Sequence, residues 1–153
     1  MTEGPHLLGI GEAASRAGVS ERALRYYQQL GLITPSGCTP GGMRRYSEGD
    51  LGRVARLREL QDLLGFNLEE IRAIFDNEDR LERLRAEYHA EQTDAARRRE
   101  LIAEGLAVRS ALRATVVAKR DALDRFLGEL DAERARLQKI LDDASVPEGS
   151  STA

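Results

Sequence analysis

Arginines and tyrosines recur between Ser20 and Tyr46 at spacings suited to gripping duplex DNA. The stretch Ser20-Glu21-Arg22-Ala23-Leu24-Arg25-Tyr26-Tyr27 carries two arginines and a tyrosine pair, and Arg44-Arg45-Tyr46-Ser47 repeats the combination after a glycine-rich turn. A guanidinium offers a permanent charge and forked donors to phosphates and guanine edges. A phenol packs on sugars and donates to phosphate. Tyr26 and Tyr27 lie one helical step apart, so both cannot face a core. Arg16 and Arg22 read equally as phosphate contacts or surface charge, whereas Arg53 and Arg56 read as a solvated helix face.

The elements that must position these residues follow from local signals. A short helix over 12–17 is broken by Gly18, and Ser20 caps a second helix that ends before Gly31. Helix, tight glycine turn and helix make a helix-turn-helix. Residues 32–46 hold Pro35, Gly37, Pro40, Gly41 and Gly42, which excludes a helix and predicts a two-stranded wing. Ser47 with Asp50 predicts a capped third helix whose buried stripe is Leu51, Val54, Leu57 and Leu64, closed by Gly65. Asn67 with Glu70 opens a fourth helix carrying Leu68, Ile71, Ile74 and Phe75. Leu24, Leu32, Leu57, Ile71 and Phe75 are expected in the core.

The rest of the chain is almost continuous helix-former. Val116, Leu123, Leu130 and Leu137 recur every seven residues, with Phe126, Leu127, Ile140 and Leu141 filling adjacent positions. A regular apolar seam on a charged helix calls for another helix. Upstream, Leu81, Leu84 and Tyr88 form a shorter stripe, residues 89–100 are nearly all polar, and Leu101, Ile102, Leu106, Val108 and Leu112 resume in shifted phase. One helix over this span would be about 95 Å long. Either it folds back, with Gly105 or residues 110–115 as the bend, or two chains zip into a long antiparallel coil.

The expected architecture is therefore mainly α. A winged helix-turn-helix occupies residues 6–77, a helical dimerisation region 79–143, and a disordered tail 144–153. The dimer contacts expected are Leu112, Val116, Leu123, Phe126, Leu127, Leu130, Leu137 and Leu141.

Composition narrows the function classes. Charged residues make up 32% and aromatics 5% of the chain, and the net charge is -3, which argues against wholesale adhesion to nucleic acid or anionic membrane. Yet residues 1–58 hold eight arginines against five carboxylates, so a local basic face can exist. A single cysteine excludes an internal disulfide and suits a reducing cytosol. Apolar runs are too short to span a bilayer, and no basic stretch precedes an apolar core at the N-terminus, so the chain reads as cytoplasmic. Cys38, His6 and His89 lack metal-ligand spacing, and Cys38 reads as an ordinary thiol in the wing. No phosphate-cradling loop or paired nucleophile and base supports an enzyme, and no cofactor is implied. Tyr88 and His89 read as packing residues before they read as the lining of a small-molecule pocket.

Six features in order, Ile10-Gly11-Glu12-Ala13-Ala14, Gly18-Val19-Ser20, Leu24-Arg25-Tyr26-Tyr27, Gly31-Leu32-Ile33, Arg44-Arg45-Tyr46-Ser47 and Leu64-Gly65-Phe66-Asn67-Leu68-Glu69-Glu70-Ile71, resemble the DNA-binding domain of the MerR family of bacterial transcription regulators. The resemblance covers nearly half the chain. It implies that the second helix enters the major groove through Arg25, Tyr26 and Tyr27, and that Arg44 and Tyr46, assisted by Arg45, grip the flanking backbone from the wing. Arg16, Ser20 and Arg22 are further candidate contacts by their charge and place in the sequence, not by the resemblance. It further implies a homodimer through antiparallel helices, a palindromic promoter operator, distortion of promoter DNA and engagement of RNA polymerase. A small-molecule effector stays open. No cysteine cluster or drug-binding segment follows the seam, which leaves as the alternative an architectural or partner-recruiting DNA-binding protein without an effector switch.

Overall fold

The computed structural model describes residues 6–145. Residues 1–5 and 146–153, which include almost all of the expected disordered tail, lie outside the described residues. The chain divides into two compact units, residues 1–83 and 84–153.

In the first unit, α1 (Ile10–Ala17) and α2 (Glu21–Gln29) are joined by a turn at Gly18, where φ is 68°. Arg58 Nη1 donates to the Gly18 carbonyl at 2.9 Å, and a Cβ at residue 18 would stand 2.9 Å from that nitrogen. The left-handed backbone conformation is what favours glycine here, and a Cβ would in addition displace the Arg58 nitrogen. Ser20 Oγ accepts from the Ala23 amide at 3.0 Å, satisfying one free donor of α2. The helix closes with the Gly31 amide on the Gln28 carbonyl and the Leu32 amide on the Tyr27 carbonyl, both at 2.9 Å, the paired bonds of a Schellman cap.

The wing is an antiparallel pair, β1 (Gly37–Cys38) with β2 (Arg44–Arg45), in which Cys38 faces Arg44 and Gly37 faces Arg45. Immediately after β2, Tyr46 bridges to Leu8 through reciprocal backbone bonds of 2.8 and 2.9 Å, which lays the base of the wing across the entry to α1. A capping box of Ser47 and Asp50 opens α3 (Glu48–Arg58). The Asp50 carboxylate also accepts from the Ser36 amide at 3.0 Å, tying the start of the wing to α3.

α3 runs into a π-helical turn, Glu59–Leu63, closed by the Leu64 amide on the Glu59 carbonyl at 3.3 Å. The wider turn changes the phase of the apolar stripe. Leu60 is buried beside Leu51, Val54 and Leu57, while Leu64, expected in that stripe, is 48% exposed. Asn67 and Glu70 form the second expected box, their side chains and amides exchanging bonds of 2.8 Å. The box opens α4 (Leu68–His89), which buries Ile71, Ile74 and Phe75. Leu24, Leu32, Leu57, Ile71 and Phe75 are all in the core as expected, joined by Leu8, Ile33, Val54 and the ring of Tyr46. The domain boundary expected at 77–79 falls inside α4, which continues through it without a break.

Arg53 and Arg56 are not a solvated face. Arg53 holds Asp79 and the Leu32 carbonyl, and Arg56 bonds Glu59 and Glu78 at 3.1 Å each. Together they fasten α3 to α4.

The second unit comprises the end of α4 and α5 (Ala95–Ala144). α5 passes unbroken through Gly105 and residues 110–115, so neither expected bend is present. The break lies at residues 90–94, inside the polar stretch read as helix. Asp94 Oδ1 accepts from the Arg97 amide at 2.8 Å, starting a new helix, and Thr93 Oγ1 donates to the Glu87 carbonyl at 2.6 Å. The Arg97 guanidinium reaches back to Glu87 at 2.7 Å and along its own helix to Glu104 at 2.9 Å and Glu100 at 3.3 Å. Those bonds, Glu87 first, raise the Arg97 pKa and in turn lower that of Glu87. Leu101 is buried, whereas Leu106, Val116, Leu123, Phe126, Leu127, Leu130, Leu137, Ile140 and Leu141 are exposed along α5. No helix among the described residues is long and apolar enough to cross a membrane.

Candidate nucleic-acid interface

The outward face of α2 presents Arg22, Arg25, Tyr26 and Gln29, all exposed, at the three- and four-residue spacings that align side chains on a helix. With Ser20, Glu21 and Ala23 they line an open cleft of about 790 Å³. A second cleft of about 390 Å³ is lined by Gly9, Ile10, Arg25, Met43, Arg44 and Arg45. Arg25 borders both, so the helix face and the wing form one continuous surface.

Arg25 is only loosely paired on this surface. Arg25 has Glu21 at 3.6 Å, with both side chains more than half exposed, and such a pair contributes little in water. A phosphate or a base edge can replace it. Arg44 is exposed on the wing. Arg45 is half-buried, its Nη1 standing 3.5 Å from where a Cβ of Gly9 would be. Arg16 lies to one side, paired with Glu48 at 2.6 Å.

The tyrosines divide. Tyr26 is 49% exposed on the α2 face. Tyr27 is half-buried; burial and the nearby Asp62 carboxylate raise its pKa, against a smaller opposing effect of Arg58. Its hydroxyl therefore stays protonated and remains a donor. Tyr46, expected to touch the DNA backbone, is fully buried. The Leu8 bridge turns its ring inward, so the direct contact assigned to it is corrected to an internal one. Ser20 spends its side-chain acceptor on the helix cap.

Sequence reasoning missed two residues. Gln29 completes the α2 face seven positions after Arg22, a spacing that could have found it. Gln28 joins wing to helix: its Oε1 accepts from Arg44 Nη1, and its Nε2 donates to the Tyr46 hydroxyl. Among the described residues, no three His, Cys, Asp or Glu side chains are grouped to hold a metal ion.

The family profile described as MerR HTH family regulatory protein matches residues 8–78. The HTH-type transcriptional regulator YfmP of Bacillus subtilis is 29% identical over 84% of this chain and 86% of its own length. The uncharacterized HTH-type transcriptional regulator PA4778 of Pseudomonas aeruginosa is 41% identical over 42% of this chain and 48% of its own length. The chain spans about half or less of the length of several other curated relatives, PA4778 among them. The crystal structure of HiNmlR, described as a MerR family regulator lacking the sensor domain and bound to promoter DNA, superposes with a TM-score of 0.51 at 24% identity, covering 88% of this chain and 92% of that one. That likeness speaks for the fold. Residues 8–78 are a MerR-family helix-turn-helix domain.

Proposed function

We propose that this protein is a sequence-specific transcription regulator that binds a palindromic operator in promoter DNA as a homodimer. The observation that carries the reading is the continuous surface of Arg22, Arg25, Tyr26 and Gln29 on α2 with Arg44 and Arg45 on the wing. A helix of this size enters the major groove, where Arg25 can bind a guanine edge with both guanidinium nitrogens. Arg44 and Arg45 hold phosphates and set the register. HiNmlR, of similar fold, is described as bound to promoter DNA.

The dimer is supported by the seam on α5. Val116, Leu123, Leu130 and Leu137 recur at heptad spacing and are each at least 43% exposed in the single chain, a stripe that a second copy of the same helix would cover. Two-fold symmetry of the protein then imposes a palindrome on the operator. Two wings gripping the outer backbone can bend and untwist the DNA between them, at a cost of about 1–6 kcal/mol recovered in contacts. Promoter elements would thereby be realigned for RNA polymerase.

Sequencing the genomic DNA fragments retained by the purified protein tests this. A palindrome lying between promoter elements is expected. Scattered or tandem sites outside promoters would replace the regulator with an architectural protein.

A further inference from the structure

Gln28 bridges the hydrophobic core and the wing. We propose that it is a positioning residue for DNA binding, holding the Arg44 guanidinium in the orientation that meets a backbone phosphate. The inference rests on the DNA-binding reading above and adds a residue that does not itself touch DNA.

Tyr46 is fixed at both its backbone polar groups by Leu8, at 2.8 and 2.9 Å, and its ring is fully buried. Its hydroxyl is thus a stationary anchor within the core. Gln28 Nε2 donates to that hydroxyl, which fixes the plane of the amide, and Gln28 Oε1 then accepts from Arg44 Nη1. Arg44 is otherwise a long, exposed side chain on a two-residue strand. Free, it would lose rotamer entropy on meeting a phosphate; held by one nitrogen, it has already lost part of it and keeps its other donors for the ligand. The chemistry of residue 28 matters as well. An amide oxygen orients the guanidinium without cancelling its charge, whereas a carboxylate would hold it equally and oppose the phosphate. Because Gln28 belongs to α2, it also makes the wing arginine move with the helix that carries Arg25.

The test uses the full chain and a mixed-sequence duplex of about 30 base pairs, titrated across a series of salt concentrations. Gln28→Leu, which keeps the stem and removes both bonds, is compared with Arg44→Ala and with the double variant. The expected result is an affinity about three- to tenfold lower for Gln28→Leu, a shallower salt slope, and a double variant no weaker than Arg44→Ala alone. An unchanged affinity and slope, or losses that add in full, overturns the role. If Gln28→Leu does not fold, Tyr46→Phe removes only the anchoring hydroxyl, and its cycle with Arg44→Ala should show the same coupling with a smaller loss; additive losses there overturn the role equally. Wild-type protein with no salt-dependent affinity for the duplex would instead overturn the DNA-binding reading itself.

Discussion

Arg53 and Asp79 meet in a two-pronged ion pair, Nη1 to Oδ1 at 2.7 Å and Nη2 to Oδ2 at 3.0 Å. The same guanidinium lies 4.2 Å above the Phe75 ring and donates through Nε to the Leu32 carbonyl at 2.7 Å. One side chain thereby fastens α3, α4 and the segment that leaves α2. Arg53→Ala should destabilise the protein by about 1–3 kcal/mol, since it removes a bidentate pair and leaves a carbonyl without its donor. Denaturant unfolding measures this, and an unchanged midpoint would mean that solvent replaces every bond.

The pair also sets an acid limit. Hydrogen bonding from Arg53 is the largest influence on Asp79 and lowers its pKa below the ordinary 3.8, against a smaller upward push from burial. A carboxylate with a depressed folded-state pKa contributes stability that is fully present above the ordinary value and is lost as pH falls through the lower, folded one. Asp79→Asn should therefore be less stable than wild type at neutral pH, and the difference should shrink below about pH 4. Parallel unfolding curves across that range would detect it; a constant difference would remove the ionic contribution.

Arg25→Ala should weaken binding to the best recovered operator by about 1–3 kcal/mol and relax preference at one base position. Binding competition among single-base variants of that operator measures both. Uniform weakening across all variants would make Arg25 a phosphate contact instead.

Arg44→Ala should weaken binding to every sequence by a similar factor and reduce the salt slope by about 1. A loss confined to one base position would contradict the backbone role.

Replacing Leu123 and Leu130 by Asp places charges on the α5 seam and should dissociate the proposed homodimer while leaving residues 8–78 folded. Light scattering and circular dichroism read the two effects separately. A variant that stays dimeric would locate the interface elsewhere on the chain.

What the sequence disclosed was what is local. Ser20, the Ser47 and Asp50 pair, and the Asn67 and Glu70 pair each act within three residues, so their helix starts could be read directly. Helical periodicity excludes Tyr26 and Tyr27 both facing the core, but only the fold sends Tyr26 outward and half-buries Tyr27. Tyr46 was misread because its burial depends on Leu8, 38 residues away in the chain, and nothing in the side chain distinguishes a buried phenol from an exposed one. Arg53 was misread for the same reason, its carboxylate partner lying 26 residues on. Leu64 moved to the surface because the π-helical turn altered the phase of a periodicity that assumes 3.6 residues per turn. Gly105 drew attention as a bend, yet a lone glycine costs a helix only about 1 kcal/mol. The corner at residues 90–94 rests on the Asp94 cap and the reach of Arg97, signals that a stretch of charged residues hides.

Hydroxyl-radical footprinting of the purified protein on its best-retained genomic fragment tests the central claim most directly. The account predicts two protected patches related by two-fold symmetry and separated by a whole number of helical turns on one face of the duplex. A single unsymmetrical patch, or none, would contradict a dimeric reader of palindromic DNA.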